Sequence, residues 1–204
     1  MLIRLTTVGP MDCANYNYAI VFNTSGNGQT PFANAYATSL LNYSFVWLIG
    51  TQNVSQGGCS VAPVLYQVFQ VNNGLAKLPV AVPTSSYTFT PNSNGLGSQF
   101  TLQFQRSLFY TAAPIASPSA NVTPTAAPTT ASQQMWNINV FTLDANNNNA
   151  ILDAGGGGPN NAVPLPSVNT AISFDNTNPF NVSVDTSGAP AAAQIAGGEI
   201  QNTP

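Results

Sequence analysis

The chain contains no histidine, and its only bases are Arg4, Lys77 and Arg106. The acids are Asp12, Asp144, Asp153, Asp175, Asp185 and Glu199. Charged residues make up 4% of the sequence, against about 25% in ordinary soluble proteins. Each absence removes a class of function. Without imidazole there is no Ser-His-Asp triad, no Cys-His dyad and no His-ligated zinc. Two cysteines cannot build a four-cysteine metal site. Three bases and a net charge of −3 cannot neutralise a phosphate backbone, which excludes nucleic acid as a partner. No transmembrane segment is expected either. The most apolar run, Leu40 to Ile49, is broken by Asn42 and bounded by Gly50, well short of the roughly 18 apolar residues a span needs.

What is present is a chain of 204 residues that is 44% hydrophobic. That suits one domain with a sizeable core and is not a disordered composition. Asn, Gln, Ser and Thr supply the polarity that charge does not. Cys13 and Cys59 read as a disulfide formed in an oxidising compartment, worth about 3–4 kcal/mol in the chain-entropy picture. The competing reading is two buried free thiols. Met1-Leu2-Ile3-Arg4 has no basic head and no apolar segment of signal-peptide length, so it reads as the start of a strand. An export signal is expected to have been removed or not captured in this sequence.

The pattern along the chain is that of strands. Tyr43 to Ile49 is continuously apolar, aromatic and β-branched, and reads as a central strand buried on both faces. Tyr16, Tyr18, Ile20 and Phe22 alternate with Asn17, Ala19 and Val21, and Phe100, Leu102 and Phe104 with Gln99, Thr101, Gln103 and Gln105. Trp136, Ile138 and Val140 repeat the pattern. Leu2 to Val8, Val64 to Val71, Leu75 to Val82, Ser86 to Thr90, Thr170 to Phe174 and Phe180 to Val184 are further strands. Asn72-Asn73-Gly74 marks a hairpin, and Pro79 puts the returning strand at an edge. No helical period of useful length occurs. The expected fold is all-β, an antiparallel sandwich or barrel-like form of about 8–10 strands. Residues 1–186 form its single domain, with a Pro/Thr/Ala-rich excursion at 111–132, and 187–204 form an Ala/Gly-rich C-terminal tail with a helical turn near Ala191 to Ile195.

Few residues suggest chemistry. Gly155 to Gly158 lead into Pro159 rather than Lys-Ser/Thr, so they are a loop and not a phosphate cradle. Carboxylate pairs such as Asp144 with Asp153, or Asp175 with Asp185, have no spacing that demands hydrolysis. Asp144, Asn146, Asn148 and Asp153 place oxygens as the opening of a calcium loop does, but no carboxylate stands at the twelfth position, Gly155. A weak Ca²⁺ site is one reading and an Asn-rich turn between strands is the other; no other cofactor is expected. Lys77 reads as an edge lysine that discourages strand pairing, with an internal isopeptide bond to an asparagine as the alternative. Tyr16, Tyr18, Tyr36, Tyr66, Tyr87, Tyr110 and Trp136 are candidate sugar platforms, although aromatics at strand spacing are ordinarily core. The sequons at Asn23, Asn42, Asn53, Asn121 and Asn181 are no more than so much Asn, Ser and Thr produces by chance.

Asn15-Tyr16-Asn17-Tyr18-Ala19-Ile20-Val21-Phe22-Asn23 and Ala193-Gln194-Ile195-Ala196-Gly197-Gly198-Glu199-Ile200 resemble uncharacterised bacterial lipoprotein-type surface proteins. In those a lipidated cysteine precedes an all-β domain. The resemblance implies a secreted or surface β-sandwich and no assigned activity. The lipidation motif is absent here, because no apolar segment precedes Cys13 and Asp12 stands directly before it. Since sheet edges are normally guarded by charge, proline or bulges, scarcity of charge points either to loops such as Thr111 to Ser132 that cover the edges or to edges that pair with another copy or a partner strand. The expectation is a non-enzymatic extracellular or cell-surface structural protein that self-associates through sheet edges. The alternative is a module binding a polysaccharide or another ligand.

Overall fold

The computed structural model describes residues 1–24, 43–50, 59, 62–71, 74–91, 97–111, 123–124, 136–155, 163–165, 171–175 and 188–202. They form β1 (Leu2–Thr7), β2 (Tyr16–Asn23), β3 (Phe45–Ile49), β4 (Val64–Val71), β5 (Gly74–Pro79), β6 (Tyr87–Pro91), β7 (Gln99–Phe104), β8 (Thr123–Pro124), β9 (Trp136–Asp144), β10 (Ala150–Ala154), β11 (Val163–Leu165), β12 (Ala171–Asp175) and β13 (Ile195–Gln201). A five-stranded sheet has the order β12-β13-β1-β7-β6. An eight-stranded sheet has the order β10-β9-β2-β3-β4-β5, with β11 added to β9 and β8 to β4. Every pairing is antiparallel. The two sheets pack face to face as a β-sandwich. The strand count exceeds the expected range partly through short segments such as β8 and β11, in tracts where Pro and Gly mask the strand pattern. The expected strand at Phe180 to Val184 lies outside the described residues.

β3 sits mid-sheet between β2 and β4, and its alternation serves two cores. Phe45, Trp47 and Ile49 point between the sheets, where they meet Ile20 and Phe22 from β2 and Leu102 and Phe104 from β7. Val46 points the other way, into a second cluster with Ala19, Val21, Val68, Phe141 and Leu143. A strand buried on both faces reads as a continuous apolar run, which is why Tyr43 to Ile49 lacks a polar stripe. β5, carrying Pro79, closes this sheet at one edge, as the proline requires.

One end of the inter-sheet core is plugged by a helical turn, α1 (Leu108–Thr111). Its Phe109 ring lies 4.6 Å from Phe45, 5.0 Å from Phe22, 5.0 Å from Trp136 and 5.3 Å from Phe104, centroid to centroid. Both sheets therefore meet on one ring, at separations where tilted and edge-on aromatic contacts are favourable. Arg106 lies over the outer ring of this cluster, 4.3 Å from Trp136.

The segment expected to be a tail is structural. β13 is hydrogen-bonded on both sides, to β1 and to β12. Its two adjacent glycines hide it in the sequence, because glycine weakens strand propensity. At Gly198 the reason for glycine is steric. A Cβ there would collide with the Arg4 carbonyl oxygen and come within 2.6 Å of the Phe174 ring. The residues leading into β13 turn at Pro190, whose carbonyl accepts from the Ala193 and Gln194 amides. Nearly every group that follows is taken by a different element. Gly9 N–H donates to Ala191 O at 2.8 Å and Val8 N–H to Gln194 O at 2.9 Å. The Tyr18 hydroxyl donates to Ala192 O at 2.8 Å and the Thr142 hydroxyl to Ala193 O at 2.5 Å. Ile195 N–H donates to Asp153 Oδ2 at 2.8 Å. Tyr18, Thr142 and Asp153 belong to the eight-stranded sheet, so this short stretch fastens one sheet to the other.

The same end holds the Cys13–Cys59 disulfide, with Cα atoms 5.1 Å apart. Asp12 organises the turn that carries Cys13. Its Oδ1 accepts the Ala14 and Asn15 amides, at 3.0 and 3.3 Å, and its own N–H donates to the Tyr18 hydroxyl at 3.0 Å.

A chain ended after Gln194 loses β13 and the Asp153–Ile195 bond. It is expected to be unfolded by circular dichroism and to aggregate on expression. A truncated protein that kept the cooperative melt of the full chain would show residues 195–204 to be the tail their composition suggests.

Candidate functional site

Most of the charges that the structure describes are engaged within the fold. Arg4 donates to Glu199 Oε2 at 2.8 Å across the β1–β13 ladder. Lys77 Nζ lies 5.9 Å from the centroid of the Tyr43 ring, and Arg106 covers Trp136. Asp12 caps its turn. Asp153 is 3% exposed, and its two oxygens accept the backbone amides of Ala154 and Ile195, both at 2.8 Å. Such charge-assisted bonds contribute about 1.5–3 kcal/mol each. Lys77 is not a solvated edge lysine. It lies partly buried on β5, and burial lowers its pKa from an ordinary 10.5 to about 8.

The Asn-rich stretch is the turn between β9 and β10. Asn148 and Asn149 take the left-handed conformation, with φ of 51° and 57°, which asparagine tolerates better than most residues. Asp144 Oδ1 accepts the Asn146 amide at 2.9 Å, forming an Asx turn. Two of the asparagines serve as struts. Asn146 Nδ2 donates to Asn15 Oδ1 at 3.2 Å, and Asn17 Nδ2 donates to Asn149 Oδ1 at 2.6 Å. Asn17 is itself pressed by the chain leaving β3, for a Cβ on Gly50 would clash with its side-chain amide. Of the four residues read as a calcium loop, Asp144, Asn146 and Asn148 share this turn. Asp153 does not join them, because a bulge between Ile151 and Asp153 accompanies the turning of its carboxylate into the interior. Among the described residues, no group of three or more His, Cys, Asp or Glu side chains converges to hold a metal ion.

The tyrosine and tryptophan candidates go largely into the core. Tyr18 and Trp136 are buried, and Tyr66 nearly so. Tyr16 packs against the core cluster, and Tyr87 stacks at 5.3 Å on Trp47. Tyr36 and the side chain of Tyr110 lie outside what is described. Among the described residues the one large hydrophobic side chain that stands exposed is Val8.

Two surface features remain. On the outer face of the five-stranded sheet, a shallow recess of about 350 Å³ is floored by Gly197 and Gly198 and rimmed by Arg4, Thr6, Ser173 and Glu199. Composition alone did not reveal it, since it depends on β13 lying beside β1. The second feature is the edge of the same sheet at β6, which among the described residues pairs only with β7. Neither feature has a counterpart to compare with: no protein-family model matches the chain, and no curated protein or solved structure matches it. Among the described residues no helix is long and apolar enough to cross a membrane.

Two buried groups set an alkaline stability profile. The folded lysine loses its proton from about pH 8, while the unfolded chain keeps it to 10.5, so stability rises with pH through that window. Burial raises the Tyr18 pKa above its ordinary 10.0. Above that pH the unfolded chain loses a phenolic proton that the folded chain retains, and stability falls. Denaturant melts should show a maximum near pH 10, with a gain on the order of 2–3 kcal/mol from pH 8. Lys77→Met is expected to remove the rising limb and leave the fall.

Proposed function

We propose that this chain is a non-enzymatic structural module of an extracellular or cell-surface assembly, held to its neighbours by neutral contacts rather than by charge. The observation that carries this reading is the engagement within the fold of most of the ionic groups that the structure describes. Arg4, Lys77, Arg106, Asp12, Asp153 and Glu199 each serve an ion pair, a ring, a turn or a buried joint. A surface of hydroxyls and amides with so little charge has little self-repulsion to keep copies apart. The Cys13–Cys59 disulfide suits an oxidising compartment. A surface protein of this kind also fits the likeness of the Asn15 to Asn23 stretch to lipoprotein-type sequences.

A second reading draws on the recess beside Arg4 and Glu199. A neutral ion pair flanked by two hydroxyls suits a neutral polyhydroxylated ligand such as a segment of polysaccharide, which can accept from the guanidinium and donate to the carboxylate. The scarcity of exposed aromatic surface places this reading second.

Sedimentation across a wide concentration range tests the first reading. Reversible association is expected, and it should persist from low to high salt because exposed charge pairs are what salt screens. A protein that stays monomeric at millimolar concentration would overturn it. Titration of the same samples with neutral oligosaccharides, followed by amide shifts at Arg4 and Glu199, tests the second.

A further inference from the structure

We infer that β6 is the strand through which this protein pairs with a second copy of itself, antiparallel about a two-fold axis at Phe89. The inference rests on the assembly reading and names the surface involved.

The sheet edges differ in protection. β5 ends on Pro79, β10 is bulged between Ile151 and Asp153, and β12 ends on Asp175. Charge, proline and bulges are the usual means by which an edge avoids pairing. β6 has the sequence Tyr-Thr-Phe-Thr-Pro, with no charge, no bulge and proline only at its last position. Its register with β7 runs unbroken from Tyr87↔Phe104 to Pro91↔Phe100.

The backbone direction follows from the ladder. Gln105 N–H donates to Ser86 O at 3.3 Å, so Ser86 faces β7. In an antiparallel ladder alternate residues face the same neighbour. Thr88 and Thr90 therefore also bond to β7, while Tyr87, Phe89 and Pro91 turn their backbone groups to the open edge. A second copy placed antiparallel at Phe89 satisfies that edge closely. The two Phe89 residues exchange both of their hydrogen bonds. Each Tyr87 N–H meets the partner's Pro91 carbonyl. Proline is thus placed where the register asks it only to accept, and its missing N–H leaves just the Tyr87 carbonyls over.

The side chains agree with that register. Thr88 and Thr90 are exposed, and each would face the other's counterpart across the axis, in the closely spaced kind of pair where threonines interact favourably. On the opposite face Phe89 is partly buried, its ring 5.7 Å from Phe100. The partner's Phe89 would cover what remains exposed. The joined five-stranded sheets become one continuous sheet across both copies.

The test is a charge swap at the exposed threonines, read by sedimentation equilibrium. Thr88→Lys with Thr90→Lys sets lysine against lysine twice across the axis, and is expected to weaken self-association by about tenfold or more. Thr88→Lys with Thr90→Glu sets opposite charges together and is expected to restore it to near the wild-type value. Both variants should melt like the wild type, because the substituted side chains are solvent-facing. In the wild type, exchange of the Phe89 amide should slow as concentration rises. Association of the double-lysine variant at wild-type strength would overturn the β6 assignment while leaving assembly itself standing. A wild-type protein that is monomeric throughout would overturn both.

Discussion

The sandwich depends on a joint made almost entirely of backbone. Residues 190–195 lead into β13 of the five-stranded sheet and lie against side chains of the eight-stranded one. On the way they give up their polar groups one at a time, to Gly9, Tyr18, Thr142, Val8 and Asp153. Buried peptide groups must be paired, and here three of the partners are side chains standing inside the eight-stranded sheet. Ala193 is fully buried at this joint, where a small side chain leaves room for the neighbouring sheet. The disulfide and the Asp12 turn then brace the strand that carries Tyr18. Apolar burial supplies most of the driving force, but this joint sets how the two sheets meet.

Polarity without charge governs the rest. Amides do the work that ion pairs do in other proteins. Asn15, Asn17, Asn146 and Asn149 lock two turns together. Gln99 reaches across to the Thr6 hydroxyl at 3.0 Å. The sole ion pair among the described residues, Arg4 with Glu199, lies on the face that has the recess. An amide network of this kind is indifferent to salt, and it leaves little titratable surface for a catalytic group to be tuned from. The same economy leaves the edges with few guards, so the asymmetry among edges becomes informative.

Much of the fold was legible in the sequence. Period-2 alternation in β2, β7 and β9 identified the inward faces correctly, and the two-sided burial of β3 followed from its unbroken apolar run. A disulfide was one of two readings of Cys13 and Cys59, and it is the one the structure has. What escaped detection was masked by composition. β13 looked like a tail because Gly197 and Gly198 lack β propensity, yet Gly198 is required by the Arg4 backbone and the Phe174 ring. Phe109 was lost beside a proline-rich tract, although it touches rings from both sheets. The Asp144 to Asp153 pattern looked like a cation loop because a motif counts oxygens along the chain. It cannot register a bulge that turns the last of them inward, toward the amide of Ile195.

The placement of the basic residues bears on how the protein meets proteases. Proteases that cleave after lysine or arginine meet three candidate bonds in 204 residues. Arg4 lies within β1, a strand paired on both sides, and Lys77 lies within the β4–β5 hairpin. Arg106 is stacked on Trp136 just ahead of α1. Cleavage needs a length of chain that can leave the fold and enter the enzyme, which exposed loop tips provide and paired strands do not. All three bases lie among the described residues, where the fold holds the chain. Scarcity of lysine and arginine, together with this placement, thus acts as a form of durability.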